Sequence, residues 1–360
     1  MPNILDYLVH EGMLPIEQAP FGEVDALVLS ALSYIRFGSL LTGEPRPLAG
    51  LGETAAQVLA LPGAERDKRL RRPSDAVLLR SIADSPRFAP CRLGFYIDHF
   101  APENEMQFAA MTIWLPDGSA FAAFRGTDAT LVGWKEDFNM SFSHTVPAQR
   151  AAQHYTEKLA AGFLGPLRLG GHSKGGNLAV YAATQCAGAV RRRVQMVYNN
   201  DGPGFTDTVL SSPGYAELLP RVRTFVPQSS IVGMLLEHEG AYTVVQSSQV
   251  GLLQHEPYSW QVREGRFVRL DEVTAGSRMV DRTLKNWLAG MTPQEREHFI
   301  DTVYEMLSAG DAHKTAELML PRNVLASLRA FGAAAPADRR MLRDRLRLLL
   351  HAAMDALKDV

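Results

Sequence analysis

The serine between two glycines in Gly171-His172-Ser173-Lys174-Gly175 has the surroundings that best suit covalent catalysis. A short apolar segment precedes this stretch and small residues follow it, which is the strand-turn-helix context of a nucleophilic serine. A side chain at either glycine would crowd the neighbouring backbone of so sharp a turn. The backbone N–H of Lys174, at the start of the helix, would then point to the oxygen of an attacked carbonyl. The pattern predicts acyl transfer by Ser173.

Two other interpretations of this turn are open. Glycines also occur in tight strand-to-helix turns that need them only for packing. A phosphate-binding loop is disfavoured, because Lys174 follows the serine instead of preceding a serine or threonine at the Walker spacing.

A general base is expected near the end of the core, because the triad order in folds that use this turn is serine, acid, histidine. Three predicted strands follow the nucleophile, and His255 lies a few residues after the last of them. His238 is a rival, but it precedes the last strand. His172 adjoins the serine, and neighbouring side chains diverge at a sharp turn. The alternative for each of these histidines is a surface or structural role.

The acid has no standard position in this chain. Its usual place, after the second strand beyond the nucleophile, contains no carboxylate in Val226-Pro227-Gln228-Ser229-Ser230-Ile231. Asp201 ends the preceding strand, from which a loop can still reach the histidine, and we predict it as the acid. Ser230 and Glu237 are the substitutes. The structural alternative is that Asp201 only caps the Gly-Pro turn after it.

Two motifs resemble the class 3 lipases. Phe124-Arg125-Gly126-Thr127-Asp128, followed by Trp134 and Asp137, matches their Phe-Arg-Gly-Ser/Thr turn, and Gly-His-Ser-x-Gly-Gly matches their nucleophile motif. The resemblance implies a second oxyanion contact from the backbone N–H and the hydroxyl of Thr127. A strand that ends in Gly-Thr before the nucleophile strand supports the same assignment. The chain departs from these lipases where they carry an Asp, near Ser230.

Longer segments extend the resemblance over residues 15–265. They are Glu23–Leu27, Gly171–Ala179, Asn200–Phe205, Pro227–Leu236 and Gln254–Pro257. These segments resemble an uncharacterised bacterial lipase-like family of the α/β-hydrolase superfamily, related to class 3 lipases.

The elements around these residues predict an α/β-hydrolase fold with a mostly parallel central sheet flanked by helices. Gln107–Leu115 and Ser119–Phe124 are expected to pair as a hairpin, after which helices and strands alternate. The alternating elements are helices at 148–161 and 175–187 and strands at 167–169, 194–198, 222–226 and 242–247. Alternation of this kind places helices on both faces of the sheet.

Helical additions are expected at both ends of this core. Residues 1–90 are predicted as an N-terminal helical segment packed on the core, with helices at 21–37 and around 51–85 and a polar break at 62–73. The core spans 91–270 and a C-terminal helical extension spans 271–360. The extension contains a capping box at Thr292 to Glu295. Its last helix, at 338–358, carries an apolar stripe with basic flanks, for which docking on its own domain is preferred over peripheral membrane contact.

Composition narrows the classes of function. A net charge of −2 gives no reason to expect nucleic acid as a partner. Cys91 and Cys186 lie far apart without metal-ligand companions, which fits a reducing compartment. No signal peptide and no run of roughly 18 apolar residues is visible, so no transmembrane segment and a cytoplasmic location are expected. No metal and no cofactor is predicted, and the oligomeric state is left open.

Together these residues predict a serine hydrolase acting on a small ester, thioester or lipid-like substrate. Ser230, Met234 and Leu235 are predicted to line its pocket, although the apolar segment around them also suits a core helix. Lys174 is expected to place a positive charge at the mouth of the site, which would favour an anionic substrate. The alternative is a catalytically weak or inactive scaffold that binds a partner or a lipid.

Overall fold

A large sheet with helices on both faces forms the centre of the molecule. The computed structural model describes residues 2–41, 43–128, 130–140, 142–143, 145–236, 240–310, 312 and 315–358. The strands are β1 (Pro47–Gly50), β2 (Arg92–Ala101), β3 (Met106–Trp114), β4 (Ala120–Phe124), β5 (Leu167–His172), β6 (Val194–Asn200), β7 (Val222–Pro227), β8 (Tyr242–Val245), β9 (Val262–Arg263), β10 (Arg266–Phe267) and β11 (Arg269–Leu270).

Helices occupy both ends of the chain and the connections between strands. They are α1 (Ile4–His10), α2 (Glu23–Leu32), α3 (Leu51–Ala60), α4 (Gly63–Arg69), α5 (Pro73–Ala83), α6 (Leu131–Asn139), α7 (Pro147–Gly162), α8 (Lys174–Gln185), α9 (Gly188–Arg191), α10 (Asp207–Leu210), α11 (Pro213–Leu218), α12 (Ala275–Ala289), α13 (Pro293–Ser308), α14 (Pro321–Ala333) and α15 (Pro336–Lys358).

The strand order of the sheet, over the described residues, is β1-β2-β3-β4-β5-β6-β7-β8-β11. Strands β4 to β8 run parallel to one another. Strands β1 to β4 pair antiparallel at one end, and β11 pairs antiparallel with β8 at the other. The predicted α/β-hydrolase fold is therefore confirmed, with its parallel strands at the centre of the sheet.

The pleat of β4 explains why both faces need helices. Phe121 and Ala123 belong to the apolar cluster that contains the N-terminal helices α2, α3 and α5. Ala122 and Phe124 point to the opposite face and join the cluster of α7 and α8. Successive side chains of a strand alternate between faces, so an entirely apolar strand must be covered twice. Each fully buried phenylalanine contributes about 1.5–3 kcal/mol relative to an exposed one.

The helices and strands predicted between Gln107 and Val226 are present, with ends that differ by a few residues. Other elements were not predicted, and α4 and β2 are two of them. The expected break at 62–73 contains helix α4, where Arg69 and Glu65 form an ion pair of 3.2 Å at helical spacing. Strand β2, which lies between β1 and β3 in the sheet, forms where no strand was predicted. The boundaries proposed near residues 90 and 270 stay a prediction.

The C-terminal helices form a small core of their own. Trp287, Met291, Phe299, Ile300 and Leu342 are its buried members. The predicted capping box is present, since the Thr292 side chain accepts a hydrogen bond from the Glu295 N–H and the Glu295 carboxylate accepts one from the Thr292 N–H. Helix α15 docks through Leu342, while Leu346 and Leu350 farther along it are exposed. Among the described helices, none has the length and apolarity required to cross a bilayer.

Candidate active site

The predicted catalytic residues lie at the carboxyl edge of the parallel strands. Thr127 follows β4, Ser173 follows β5 and Asp201 follows β6. His255 ends a short 3-10 turn beyond β8. Carboxyl ends of parallel strands open on the same side of a sheet, where connecting loops form ligand sites. Strand order thus brings together residues that are far apart in sequence.

The turn at Ser173 is sterically demanding. Ser173 adopts φ 60° and ψ −137°, a conformation that is strained for a residue with a side chain. A Cβ on Gly171 would lie 2.2 Å from the carbonyl carbon of Gly175, and one on Gly175 would lie 2.1 Å from the Phe124 carbonyl oxygen. The Ser173 N–H donates to the Asn200 carbonyl oxygen at 2.9 Å. The glycines therefore permit the backbone approach that the sequence pattern predicted.

Ser173 and His255 face the same pocket, which has a volume of about 430 Å³. The residues that line this pocket are Tyr34, Arg71, Arg72, Thr127, Asp128, His172, Ser173, Leu252, Leu253, His255 and Glu256. Ser230, Met234 and Leu235, which were predicted to line a substrate pocket, are not among these residues. The loop before His255 supplies Leu252 and Leu253 in their place.

Asp201 holds the ring of His255 from the buried side. Its Oδ2 lies 2.6 Å from Nδ1 of His255, and its side chain is buried. An ionised carboxylate only accepts hydrogen bonds, so Nδ1 carries the proton and Nε2 is left as the acceptor. This is the tautomer that a general base toward a serine hydroxyl requires.

The position where class 3 lipases carry their acid supplies a supporting residue. The Ser230 hydroxyl donates to Oδ1 of Asp201 at 2.5 Å, and the Gly233 N–H donates to the same oxygen at 3.1 Å. The Ser230 hydroxyl therefore holds the Asp201 carboxylate, and Asp201 is the residue whose carboxylate contacts the histidine. Glu237, the other substitute, and the rival base His238 lie outside the described residues.

The hydroxyl of Thr127 is engaged by a carboxylate. It donates to the two oxygens of Asp137 at 2.7 and 2.6 Å. Desolvation raises the pKa of Asp137 to about 6, an effect that the nearby Lys174 ammonium and the Thr127 hydrogen bond oppose. The resemblance implied that both the hydroxyl and the backbone N–H of Thr127 would meet an oxyanion. Here the hydroxyl proton points to Asp137, which leaves the N–H for that role.

The side chain of Lys174 is not at the mouth of the site. It is buried, and its Nζ lies 2.9 Å from Oε2 of Glu136 and 3.0 Å from the Gln107 carbonyl oxygen. A buried ammonium requires such a partner, and Glu136 of α6 provides it. The expectation that Lys174 presents a positive charge to substrate is therefore wrong. Arg71 and Arg72 line the pocket instead, and no local pattern in the sequence links them to it.

Sequence reasoning also missed a chain of hydrogen bonds through Tyr34 and His172. Nε2 of His172 lies 2.6 Å from the His255 carbonyl oxygen, and Nδ1 of His172 lies 3.0 Å from the Tyr34 hydroxyl. A carbonyl only accepts, so Nε2 donates and Nδ1 accepts from tyrosine. Burial lowers the pKa of His172 well below its ordinary value, which keeps the ring neutral. Both ring nitrogens of His172 thus have hydrogen-bond partners, and His172 holds the backbone of the turn Gly251–His255, which we call the histidine loop.

Comparison with known proteins adds a family to this geometry. A family model described as Mbeg1-like matches residues 82–305, more than half of the chain. No curated protein matches the sequence significantly. Among solved structures, the native Rhizomucor miehei lipase propeptide complex aligns with 13% sequence identity and a TM-score of 0.38. That alignment covers 61% of this chain and 66% of the lipase chain, just under two thirds of its length.

Proposed function

Because the chain belongs to the Mbeg1-like family, which is lipase-like, we propose that it is a serine hydrolase acting on a carboxylic ester or thioester. The observation that carries the proposal is the contact of 2.6 Å between His255 and buried Asp201 beside the pocket of Ser173. A buried carboxylate that fixes the tautomer of a histidine lining the same pocket as a strained serine is a costly arrangement, and acyl transfer explains it. The closer relation to class 3 lipases and to a bacterial family rests on the sequence resemblance alone.

The first half of the reaction forms an acyl-enzyme. His255 takes the proton of the Ser173 hydroxyl on Nε2 while the serine oxygen bonds to the substrate carbonyl carbon. The tetrahedral intermediate then collapses, the bond from carbon to the leaving oxygen or sulfur breaks, and His255 returns its proton to the leaving group. Asp201 stays ionised throughout and stabilises the charged imidazole.

The second half releases the acid. A water attacks the acyl carbon and gives a proton to His255, and collapse breaks the bond to the serine oxygen, which recovers that proton. In both halves the negative charge on the carbonyl oxygen is stabilised by backbone N–H groups of Thr127 and Lys174. Lys174 opens helix α8, so its N–H belongs to the first turn, where helical N–H groups lack partners within the helix.

Covalent labelling tests the nucleophile directly. A fluorophosphonate probe should label the folded wild-type protein, because the serine oxygen displaces fluoride at phosphorus. Ser173→Ala should lose the label, while the matched surface variant Ser211→Ala should keep it. A folded wild-type protein that takes no label would contradict the proposal and would favour the catalytically inactive scaffold. A series of nitrophenyl esters of increasing acyl length would then define the acyl preference.

A further inference from the structure

A second depression, of about 620 Å³, adjoins the pocket of Ser173. Tyr34, Arg71 and Asp128 line both, so the two form one continuous groove. The cationic side chains along this groove are Arg36, Lys68, Arg69, Arg71, Arg72 and Arg125. The chain as a whole has a net charge of −2, so this concentration of positive charge is local. Clefts lined by one sign of charge attract ligands of the other.

Some of these cations are balanced by acidic partners. Arg125 forms a bidentate pair with Asp98 at 2.6 and 3.0 Å. Arg69 pairs with Glu65 at 3.2 Å, and Arg36 pairs with Asp128 at 3.3 Å. These three cations therefore contribute little net charge to the groove.

Among the residues that line the groove, the remaining cations exceed their side-chain ion-pair partners by two. Arg71 and Arg72 share a single carboxylate, that of Glu256, beside the proposed base. Lys68 is exposed and forms no ion pair within the described part of the chain, while its neighbour Asp67 pairs with Arg66. An excess of two positive charges matches the charge of a phosphate monoester near neutral pH.

Arg71 is held in a geometry that suits an oxyanion. Its guanidinium carbon lies 3.9 Å from the centre of the Tyr34 ring, a stacked contact that restricts the side chain. A planar guanidinium donates two parallel hydrogen bonds to phosphate or carboxylate oxygens. Burial and the neighbouring Arg71 charge lower the pKa of Arg72, so an anion between these two side chains would relieve their repulsion.

Exposed apolar side chains line the same pocket as these cations. Leu252 and Leu253 line it and are 67% and 64% exposed, although both are large apolar residues. An acyl chain would cover these leucines, with the carbonyl at Ser173 and an anionic group along the groove. The pocket therefore suits an amphiphile better than a neutral ester.

We propose that the substrate is an acyl ester or thioester that carries a phosphate group, bound by Arg71, Arg72 and Lys68. This inference rests on the proposed hydrolase function, and two sources of phosphate satisfy the same chemistry. One is the headgroup of a lysophospholipid, and the other is the nucleotide carrier of an acyl thioester.

Binding to Ser173→Ala protein tests the phosphate site without turnover. The probes are two pairs with the same acyl chain: octanoyl lysophosphatidate with monooctanoylglycerol, and octanoyl-coenzyme A with octanoyl-N-acetylcysteamine. Calorimetry at low salt should show the phosphate-bearing member of at least one pair binding about tenfold tighter or more, a difference that added salt reduces. The pair that shows the difference identifies the source of the phosphate.

Charge-removing variants locate the effect. In the same Ser173→Ala background, the Arg71→Gln, Lys68→Gln double variant should bring the affinity ratio within each pair to about twofold or less. Arg192→Gln, which removes an exposed charge at the end of α9, is the matched control and should keep the ratio. Equal affinity for both members of both pairs would overturn the inference, as would an affinity ratio that the double variant does not change.

The two proposals fail in different ways. A wild-type protein labelled at Ser173 that shows no preference for phosphate keeps the hydrolase function and loses the phosphate site. An unlabelled protein that prefers phosphate-bearing probes through Arg71 and Lys68 keeps the site and loses the hydrolase function.

Discussion

Three donors hold the carboxylate of Asp201, and they determine what the residue does to its neighbour. Ser230 and the Gly233 N–H occupy Oδ1, so that Oδ2 alone faces the imidazole of His255. The left-handed backbone of Asp201, with φ 55°, accompanies this orientation, and aspartate tolerates it better than most residues. Because one oxygen accepts from Ser230 and Gly233 and the other faces the ring, the carboxylate is held in place as a partner for Nδ1 of His255.

Asp201→Asn should lower kcat by about 10⁴-fold. The asparagine oxygen would keep the bonds from Ser230 and Gly233, so its NH₂ group would face Nδ1 of His255 and impose the wrong tautomer. Ester hydrolysis under saturating substrate measures the loss, and circular dichroism checks that the fold persists. A loss smaller than about tenfold would remove Asp201 from the triad.

Ser230→Ala provides the graded comparison. It removes one donor to Asp201 and leaves the contact of the carboxylate with His255, so we expect a loss of about tenfold in kcat. A loss as large as that of Asp201→Asn would contradict the graded expectation and would mean that Asp201 orients His255 only while Ser230 holds it.

At the scale of elements, the site depends on a part of the chain that the family model does not match. The match to the family model begins at residue 82, yet Tyr34, Arg71 and Arg72 all line the pocket of Ser173. The start of α5 adds a further link. Asp75 accepts hydrogen bonds from the Arg71 and Arg72 N–H groups and, at 2.7 Å, from the Tyr258 hydroxyl just after the histidine loop. The N-terminal helices thus cover one face of the sheet and also support that loop.

His172 is a positioning residue that helps to hold the histidine loop. Two substitutions distinguish the contribution of its hydrogen bond from that of its side-chain packing. His172→Leu removes the donor to the His255 carbonyl and should lower kcat by about 10–100-fold with little change in KM. His172→Gln can still present an N–H to that carbonyl and should recover most of the loss.

Steady-state kinetics with a neutral nitrophenyl ester measure both variants. Tyr34→Phe removes the donor to Nδ1 of His172 and keeps the ring under Arg71. We expect it to lower kcat less than His172→Leu does. Equal loss in the Leu and Gln variants would show that His172 acts only through packing, and the assigned hydrogen bond would then have no role in catalysis.

At the scale of the whole molecule, the central core and the C-terminal helices have separate apolar clusters. Trp287 packs edge-on against Phe299 at 5.4 Å and donates its indole N–H to the Arg345 carbonyl oxygen. Trp260 lies in the central core and donates to the Gln254 carbonyl oxygen, one residue before His255. The two tryptophans therefore belong to different apolar clusters, and only Trp260 bonds to the backbone next to His255.

Trp287→Ala and Trp260→Ala should have comparable effects on stability and different effects on reactivity. Each truncation creates a cavity and should cost about 3–5 kcal/mol of unfolding free energy. The rate of fluorophosphonate labelling should stay within about threefold for Trp287→Ala and fall by more than about tenfold for Trp260→Ala, because displaced catalytic groups lose rate steeply. Thermal melting and gel-based labelling rates test the pair. A Trp287→Ala protein that is folded but unreactive would show that the C-terminal helices position the site.

Much of the fold and part of the site could be predicted because their causes are local. Glycines on both sides of Ser173 permit a turn that few other residues allow. Strand-favouring residues around a turn identified the hairpin, and strands interleaved with helices identified the parallel sheet. Since parallel strands place their carboxyl ends together, sequence order alone was enough to nominate Asp201 and His255. Strand β2 was missed because pairing with its neighbours β1 and β3, and not a strong pattern of its own, makes it a strand.

What surrounds the nucleophile was decided by tertiary packing. The sequence could not show that the Lys174 ammonium is buried against Glu136, that Ser230 supports Asp201, or that Tyr34 reaches His172. Each of these contacts joins segments separated by dozens of residues. Their meeting depends on how α6 and the segment after α2 pack on the sheet, and on how the loops after β6 and β7 approach each other. Local sterics determine a turn from adjacent residues, whereas the charge and shape of a pocket are a property of distant surfaces brought into contact.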